Sequence, residues 1–448
     1  MEKIFTTNKL IEFLILFIPI FLITGPFLSD LAVVFCCLLI FFLKKNSITN
    51  FILHTNLIRI FLSFYTYIVF CSLILPIQEN YFIESFIPSI FYIRFLIFSL
   101  IFYFVFHNNK NFSLNLFYIL ISILIILFFD INAEYFLKKN FLGHTFNGVR
   151  IQSLFGDEWI VGSYISLIVP LIISLFFINK KKRKFIIFKI KYDDNYIFII
   201  ILVAIFLVLL TGERSALFSI LLYSFLLIFF LKLDFRKKII FFTIIIFTFS
   251  LSLFFLKPTY ERVYKHTLKQ LNIFSPDYKK DHQLLFETGF KIYLDNQIIG
   301  TGLKGFRNQC NKDKYYVKGG CSTHPHNFYI QFLSELGLIG FSVLISSFLI
   351  LNLIIFFRIR NFYFFRLNKN IFNNEILSIL IGLYVFLFPL KTHGSFFNNW
   401  LSICFYLQFS LLVSIYLRPI KKLTKLKINS KLSSINNEKN IFKRNKKK

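Results

Sequence analysis

The chain has 448 residues, 56% of them hydrophobic, and a mean hydropathy of +0.66. A soluble globular protein is excluded, because apolar blocks near bilayer length recur from Leu10 to Leu417. The formal charge of +29 would point to nucleic acid in a soluble protein, but in a membrane chain its location decides its meaning.

About twelve hydrophobic spans follow in order, near residues 10 to 28, 29 to 43, 57 to 75, 87 to 106, 114 to 129, 158 to 177, 196 to 210, 216 to 232, 239 to 256, 333 to 357, 375 to 390 and 400 to 417. The 66 Phe accompany abundant Ile, Asn and Lys, the bias of an AT-rich genome, so no aromatic stripe is read as a binding surface. With the amino terminus inside, the basic loops KKNSITN at 44, NKKKRKFIIFKIK at 179, DFRKK at 234 and RIRNFYFFRLNK at 358 become cytoplasmic, as the positive-inside rule requires. The short outer loops are poor in Lys and Arg. The long polar loop from 257 to 326 carries many lysines, but loops of that length translocate largely regardless of charge.

The expected fold is therefore an all-α polytopic membrane protein of about twelve transmembrane helices, with a large periplasmic loop between spans nine and ten. Residues 1–416 form the integral membrane domain, including the loop 257–326, and 417–448 form a basic cytoplasmic tail expected to be disordered beside the anionic inner leaflet. Nucleic acid is not an expected partner; the lipid bilayer is. The first span lacks a small-residue cleavage site and reads as a membrane helix rather than a removed signal.

Cys36, Cys37, Cys71 and Cys404 lie in apolar spans, whereas Cys310 and Cys321 share the long loop with ten residues between them. That pair reads as a disulfide worth about 2 to 3 kcal/mol in an oxidising compartment, the alternative being two free thiols.

Charged groups in or beside membrane helices are functional candidates by default. Arg94 lies within IPSIFYIRFLIFSLIFYFVF, Arg150 in VRIQSLFGDEWIVGSY and Arg214 in the TGERSA turn. A guanidinium offers a planar fork of donors suited to phosphate or pyrophosphate oxygens. The competing use is an ion pair: Arg214 with Glu213, Asp157 or Glu158, and Arg94 with a carboxylate of the bundle. His324 and His326, in HPHNFYIQFLSELGLIG, close the polar loop where an apolar helix begins. They either decorate the loop or supply an imidazole that accepts a proton from a sugar hydroxyl. No Cys/His/Asp/Glu cluster of recognised metal spacing accompanies them, so neither a metal nor another cofactor is expected.

In order along the chain, VRIQSLFGDEWIVGSYISLIVPL, LLTGERSALFSILL, DNQIIGTGLKGF, HPHNFYIQFLSELGLIG and GSFFNNW resemble the O-antigen ligase and polymerase superfamily over about residues 90 to 416. The resemblance implies a lipid-accessible cavity capped by the periplasmic loop and a metal-independent glycosyl transfer from undecaprenyl pyrophosphate. It implies catalytic roles for Arg150, Arg214 and His326. His324, Arg94, Asn327 and Arg307 are the candidate substrate-binding residues; for Arg307 a solvated loop charge is the alternative. The first expectation is an O-antigen ligase of the bacterial inner membrane with lipid A core as acceptor; a polymerase extending a lipid-linked glycan is the alternative. A flippase or secondary transporter is the reading from another class, and Arg94 separates the two, since its loss would abolish transport but spare a transfer reaction at the outer surface.

Overall fold

The computed structural model describes residues 2–39, 56–78, 80–181, 195–231, 233–257, 259–265, 267, 281–363 and 373–417. The basic segment at 44–50, most of that at 179–191, the second half of that at 358–369, residues 268–280 of the long loop and the tail from 418 lie outside these residues.

Among the described residues the chain is helical with no strand. The helices are α1 (Glu2–Phe21), α2 (Pro26–Leu39), α3 (Asn56–Gln78), α4 (Phe82–Phe91), α5 (Ile93–Asn108), α6 (Phe112–Leu137), α7 (Val161–Lys181), α8 (Asn195–Thr211), α9 (Arg214–Phe230) and α10 (Phe235–Phe255). They continue as α11 (Asp281–Asp295), α12 (Gly305–Gln309), α13 (Phe328–Tyr363), α14 (Asn374–Phe386) and α15 (Asn399–Tyr416), with a π-helical turn at Thr259–Lys265. Among the described residues seven stretches are long and apolar enough to cross a membrane, and α2, α8, α9 and α14 are shorter apolar helices. Such runs become helices because a bilayer leaves no other way to satisfy every backbone N–H and C=O within one segment.

The core lies where α7 packs against α14, α8 and α6, and where α5 packs against α15. In α7 the 18-residue apolar window is 89% buried, against 17% for α10 and for α13. α7 is thus the central post, while α10 and α13 present Phe, Leu and Ile side chains outward, as lipid-facing helices do.

Two breaks depart from the sequence reading. The expected span 87 to 106 is two helices, α4 and α5, separated at Tyr92. The long α13 is interrupted at Gly337, whose φ of 63° and ψ of −164° are non-helical. Its cause is a second piece of chain: Thr301 and Gly302 N–H donate to Ser334 and Glu335 O at 3.0 and 2.8 Å, and Leu338 N–H donates to Gln297 O at 2.7 Å. The approach is so close that a Cβ on Gly337 would lie 2.4 Å from the Ile298 carbonyl. The DNQIIGTGLKGF segment is therefore stitched into the broken helix, and only glycine fits the crossing.

Candidate functional site

The carboxyl ends of α6, α8, α10 and α14 and the amino ends of α7, α9, α13 and α15 meet at one end of the bundle, around a cavity of about 440 Å³. Each wall is set by local chemistry. The loop after α6 is held by two buried acids of that helix. Glu134 accepts the Gln152 and Ser153 N–H groups at 3.0 and 2.6 Å, and Asp130 accepts Phe141 N–H and the Ser153 hydroxyl at 2.7 and 2.5 Å. This anchors Ser153 in the left-handed region, φ 53°, and delivers Arg150 to the cavity wall. There Arg150 Nη2 donates to Trp159 O at 2.9 Å and its guanidinium carbon sits 5.0 Å from the Trp159 ring centre.

Glu213, in the TGER turn, caps the first turn of α7. Its two oxygens accept Gly162 N–H at 2.6 Å, Ser163 N–H at 3.1 Å and the Ser163 hydroxyl at 2.8 Å. A carboxylate there meets both the unsatisfied N–H groups and the positive end of the helix dipole. Burial raises the Glu213 pKa, while the Ser163 hydroxyl and the backbone N–H groups oppose that rise. Gly162 is required, because a Cβ would stand 2.6 Å from Thr211 Oγ1 and 3.1 Å from Glu213 Oε1. Thus Glu213, one of the ion-pair partners expected for Arg214, has both oxygens directed at another helix.

The cations remain. Arg150 and Glu213 line the cavity, and Arg214 lies between two lining residues, Glu213 and Ser215. Burial lowers the Arg150 pKa; Glu213 raises it, and Arg262 and Arg214 lower it further. Three arginines therefore sense one another's charge. The Nε atoms of Arg150 and Arg262 are buried without a hydrogen-bond partner. Arg262, in the π-helical turn after α10, was not singled out by the sequence, because it lies among the many charges of the long loop.

The imidazoles line the same cavity. The His324 and His326 ring centres are 4.1 Å apart and His282 lies 5.4 Å from His326. His326 adopts φ 55°, a left-handed conformation uncommon for a side-chain-bearing residue and often found at functional sites. Burial, then His282, lower the His326 pKa, and burial with His326 pushes His324 down to about 4. Both rings are neutral near pH 7, and a neutral ring can accept a proton. His393, also missed by the sequence reading, stacks on Phe328 at 3.9 Å and its Nε2 meets Phe386 O at 3.1 Å. Lys391 lines the same cavity, and burial pulls its pKa down to about 8.

Other candidates fall elsewhere. Arg94 is not among the lining residues: Nε pairs with Asp30 at 2.8 Å, Nη2 donates to Asn399 at 2.9 Å and Nη1 to Phe91 O at 2.7 Å. All three nitrogens hold helices together. Asn327 caps α13, its Oδ1 accepting Tyr329 and Ile330 N–H at 2.9 and 3.3 Å, while Nδ2 donates to Pro389 O at 2.8 Å. Arg307 is exposed on α12 and does not line the cavity. Cys310 and Cys321 are joined by a disulfide with Cα atoms 5.2 Å apart, three residues ahead of His324. Among the described residues, no group of three or more His, Cys, Asp or Glu side chains is arranged to hold a metal ion.

An all-helical bundle with apolar, outward-facing helices defines a polytopic α-helical membrane protein, here with a cavity at one end lined by cationic and imidazole side chains. Residues 198–345, about a third of the chain, match the O-antigen ligase family, which supports the resemblance to the O-antigen ligase and polymerase superfamily. Members of that family are glycosyltransferase-like membrane enzymes. Arg214, Arg262, His282, His324 and His326 lie inside the matched stretch; Arg150, Lys391 and His393 lie outside it. No curated protein gives a significant match to the chain.

Proposed function

We propose that the protein moves a glycan from undecaprenyl pyrophosphate to lipid A core at the periplasmic face of the bacterial inner membrane. The observation that carries this reading is the pair of buried, unpartnered guanidinium Nε atoms of Arg150, which lines the cavity, and Arg262, whose charge Arg150 senses, at an end of the bundle that also carries neutral imidazoles. Buried donors of that kind are normally satisfied, so an anion is expected between them. About twelve spans with the amino terminus inside would put the cavity on the periplasmic side, and Lys180 and Lys181 at the far end of α7 agree with that orientation.

In the proposed reaction His326 takes the proton of the acceptor hydroxyl as its oxygen attacks the anomeric carbon. The bond from that carbon to the pyrophosphate oxygen breaks, and its electron pair leaves with the lipid pyrophosphate. Arg150, Arg214 and Arg262 stabilise the departing charge. Direct displacement inverts the anomeric centre. The cation cluster is set for a charged donor and does not itself select the acceptor, so extension of a second lipid-linked glycan would use the same steps.

The test is transfer by purified protein in liposomes, given an undecaprenyl-pyrophosphate glycan with and without lipid A core, with products resolved by mass spectrometry. Glycan on lipid A core is the expected product. Longer lipid-linked chains without that acceptor would instead assign a polymerase, and no product in either arm would overturn the transferase reading.

A further inference from the structure

The cavity holds one cation that the proposed chemistry does not use. Lys391 follows α14, and its Nζ donates to Ser219 Oγ at 3.0 Å and lies 3.5 Å from Val385 O. These neutral oxygens are its only polar partners among the described residues, and Ser219 already donates its own hydroxyl to Ser215 O at 2.7 Å. Of the two carboxylates lining the same cavity, Glu213 has both oxygens engaged by Gly162 and Ser163, and Glu158 is exposed and is not a partner of Lys391. An ammonium withdrawn from water without a carboxylate is unfavourable, and methionine would fill the same space without that penalty.

Its position separates it from the arginines. Ser219 is five residues beyond Arg214 on α9, which at the helical rise sets it about 7.5 Å further along the axis. Of the three ammonium donors, two meet Ser219 and Val385, which leaves one for a ligand.

We propose that Lys391 forms a second anion subsite on the floor of the cavity, taking one phosphate oxygen of a lipid-linked substrate apart from the oxygens held by the arginines. The identity of that substrate rests on the glycosyl-transfer reading; the anion subsite does not. Two sources carry the same chemistry, the diphosphate of the donor and a phosphate on the acceptor.

The experiment compares full-length wild type with Lys391→Met, and with Lys391→Gln should the first fold poorly. Thermal unfolding in detergent is followed with undecaprenyl pyrophosphate, with undecaprenol, and with acceptor core before and after phosphatase treatment. Without ligand the Met variant is expected to be at least as stable as wild type, since it removes an uncompensated charge. Affinity for one phosphate-bearing ligand should fall about tenfold or more, the loss of a charge-assisted hydrogen bond, while undecaprenol is unaffected. Loss confined to undecaprenyl pyrophosphate assigns the anion to the donor, and loss confined to the phosphorylated core assigns it to the acceptor. Equal affinities in wild type and variant for every ligand, absence of binding included, would overturn the subsite. So would a destabilised variant that binds all ligands normally. The transferase reading is decided separately, by whether wild type that binds these ligands forms product.

Discussion

The backbone carbonyl of His326 accepts the backbone N–H of His393 at 2.9 Å, so a residue held at φ 55° is pinned by the segment that leads into α15. The same segment carries Lys391 and stacks the His393 ring on Phe328. His326 and His393, 67 positions apart in the chain (393 minus 326), are thus joined in one imidazole wall, to which α11 adds His282 from a third stretch.

That conformation sets function against stability at one position. His326→Ala leaves a side chain in the left-handed region, whereas His326→Gly relieves it. The glycine variant should be the more stable of the two by about 1 kcal/mol. Both should lose transfer by about 100-fold or more, as removal of a general base does. Chemical denaturation and the liposome assay measure the two effects separately.

The pH profile follows from the same ring. Burial holds the folded-state pKa of His326 below the ordinary imidazole value of 6.5, so the ring stays neutral as pH falls through 6.5 and becomes protonated only lower. Transfer should therefore persist below pH 6.5 and then decline with one protonation. An acid limb centred above 6.5 would show that another group is the base.

Arg262 should matter as much as the arginines found from sequence. Arg262→Lys keeps the charge but loses the planar fork, and is expected to raise the donor KM about tenfold with a smaller change in kcat. A steady-state titration of the donor at saturating acceptor reads both constants.

The cap on α7 gives a stability prediction. Glu213→Ala removes three hydrogen bonds at the helix start and should destabilise the protein by about 2 kcal/mol. Gly162→Ala, which forces a Cβ against Thr211 and Glu213, should cost about 1 to 3 kcal/mol. The double variant should cost less than the sum, because the two changes act on one contact. Unfolding midpoints of the four proteins in one detergent close the cycle.

Arg94 should behave as a structural residue. Its side chain is 12% exposed and that of Asp30 23%, so Arg94→Met leaves a mostly buried carboxylate and is expected to cost about 3 kcal/mol. Asp30→Asn in the same protein should restore most of that loss. Transfer per folded molecule should stay near wild type in the double variant.

Helices were legible because the bilayer demands long apolar runs, and Arg150, His324 and His326 because charged or titratable groups beside such runs stand out. Arg94 stood out for the same reason, but its partners Asp30 and Asn399 lie 64 and 305 positions away, and no local pattern announces such a contact. Arg262 failed the opposite way, as one cation among many in a polar loop. Lys391 and His393 lie just ahead of GSFFNNW, yet only the packing of α9 and α14 turns that stretch into a cavity floor. The break at Gly337 has no periodic signature at all, since its cause is the chain at residues 297 to 302.

That crossing also fixes where this protein can be divided. Ser334, Glu335, Leu338 and Ile339, on both sides of Gly337, are bonded to the 297–302 segment, and Tyr67 adds its hydroxyl to Leu336 O at 2.6 Å, while the side chains of Leu338 and Ile339 already face outward. The natural seam therefore falls inside a helix rather than at the end of a loop. A chimera that exchanges the long loop with a relative would have to carry the chain through Gly337 to keep its histidines in register, and a junction placed at Phe328 would separate two strands of one knot.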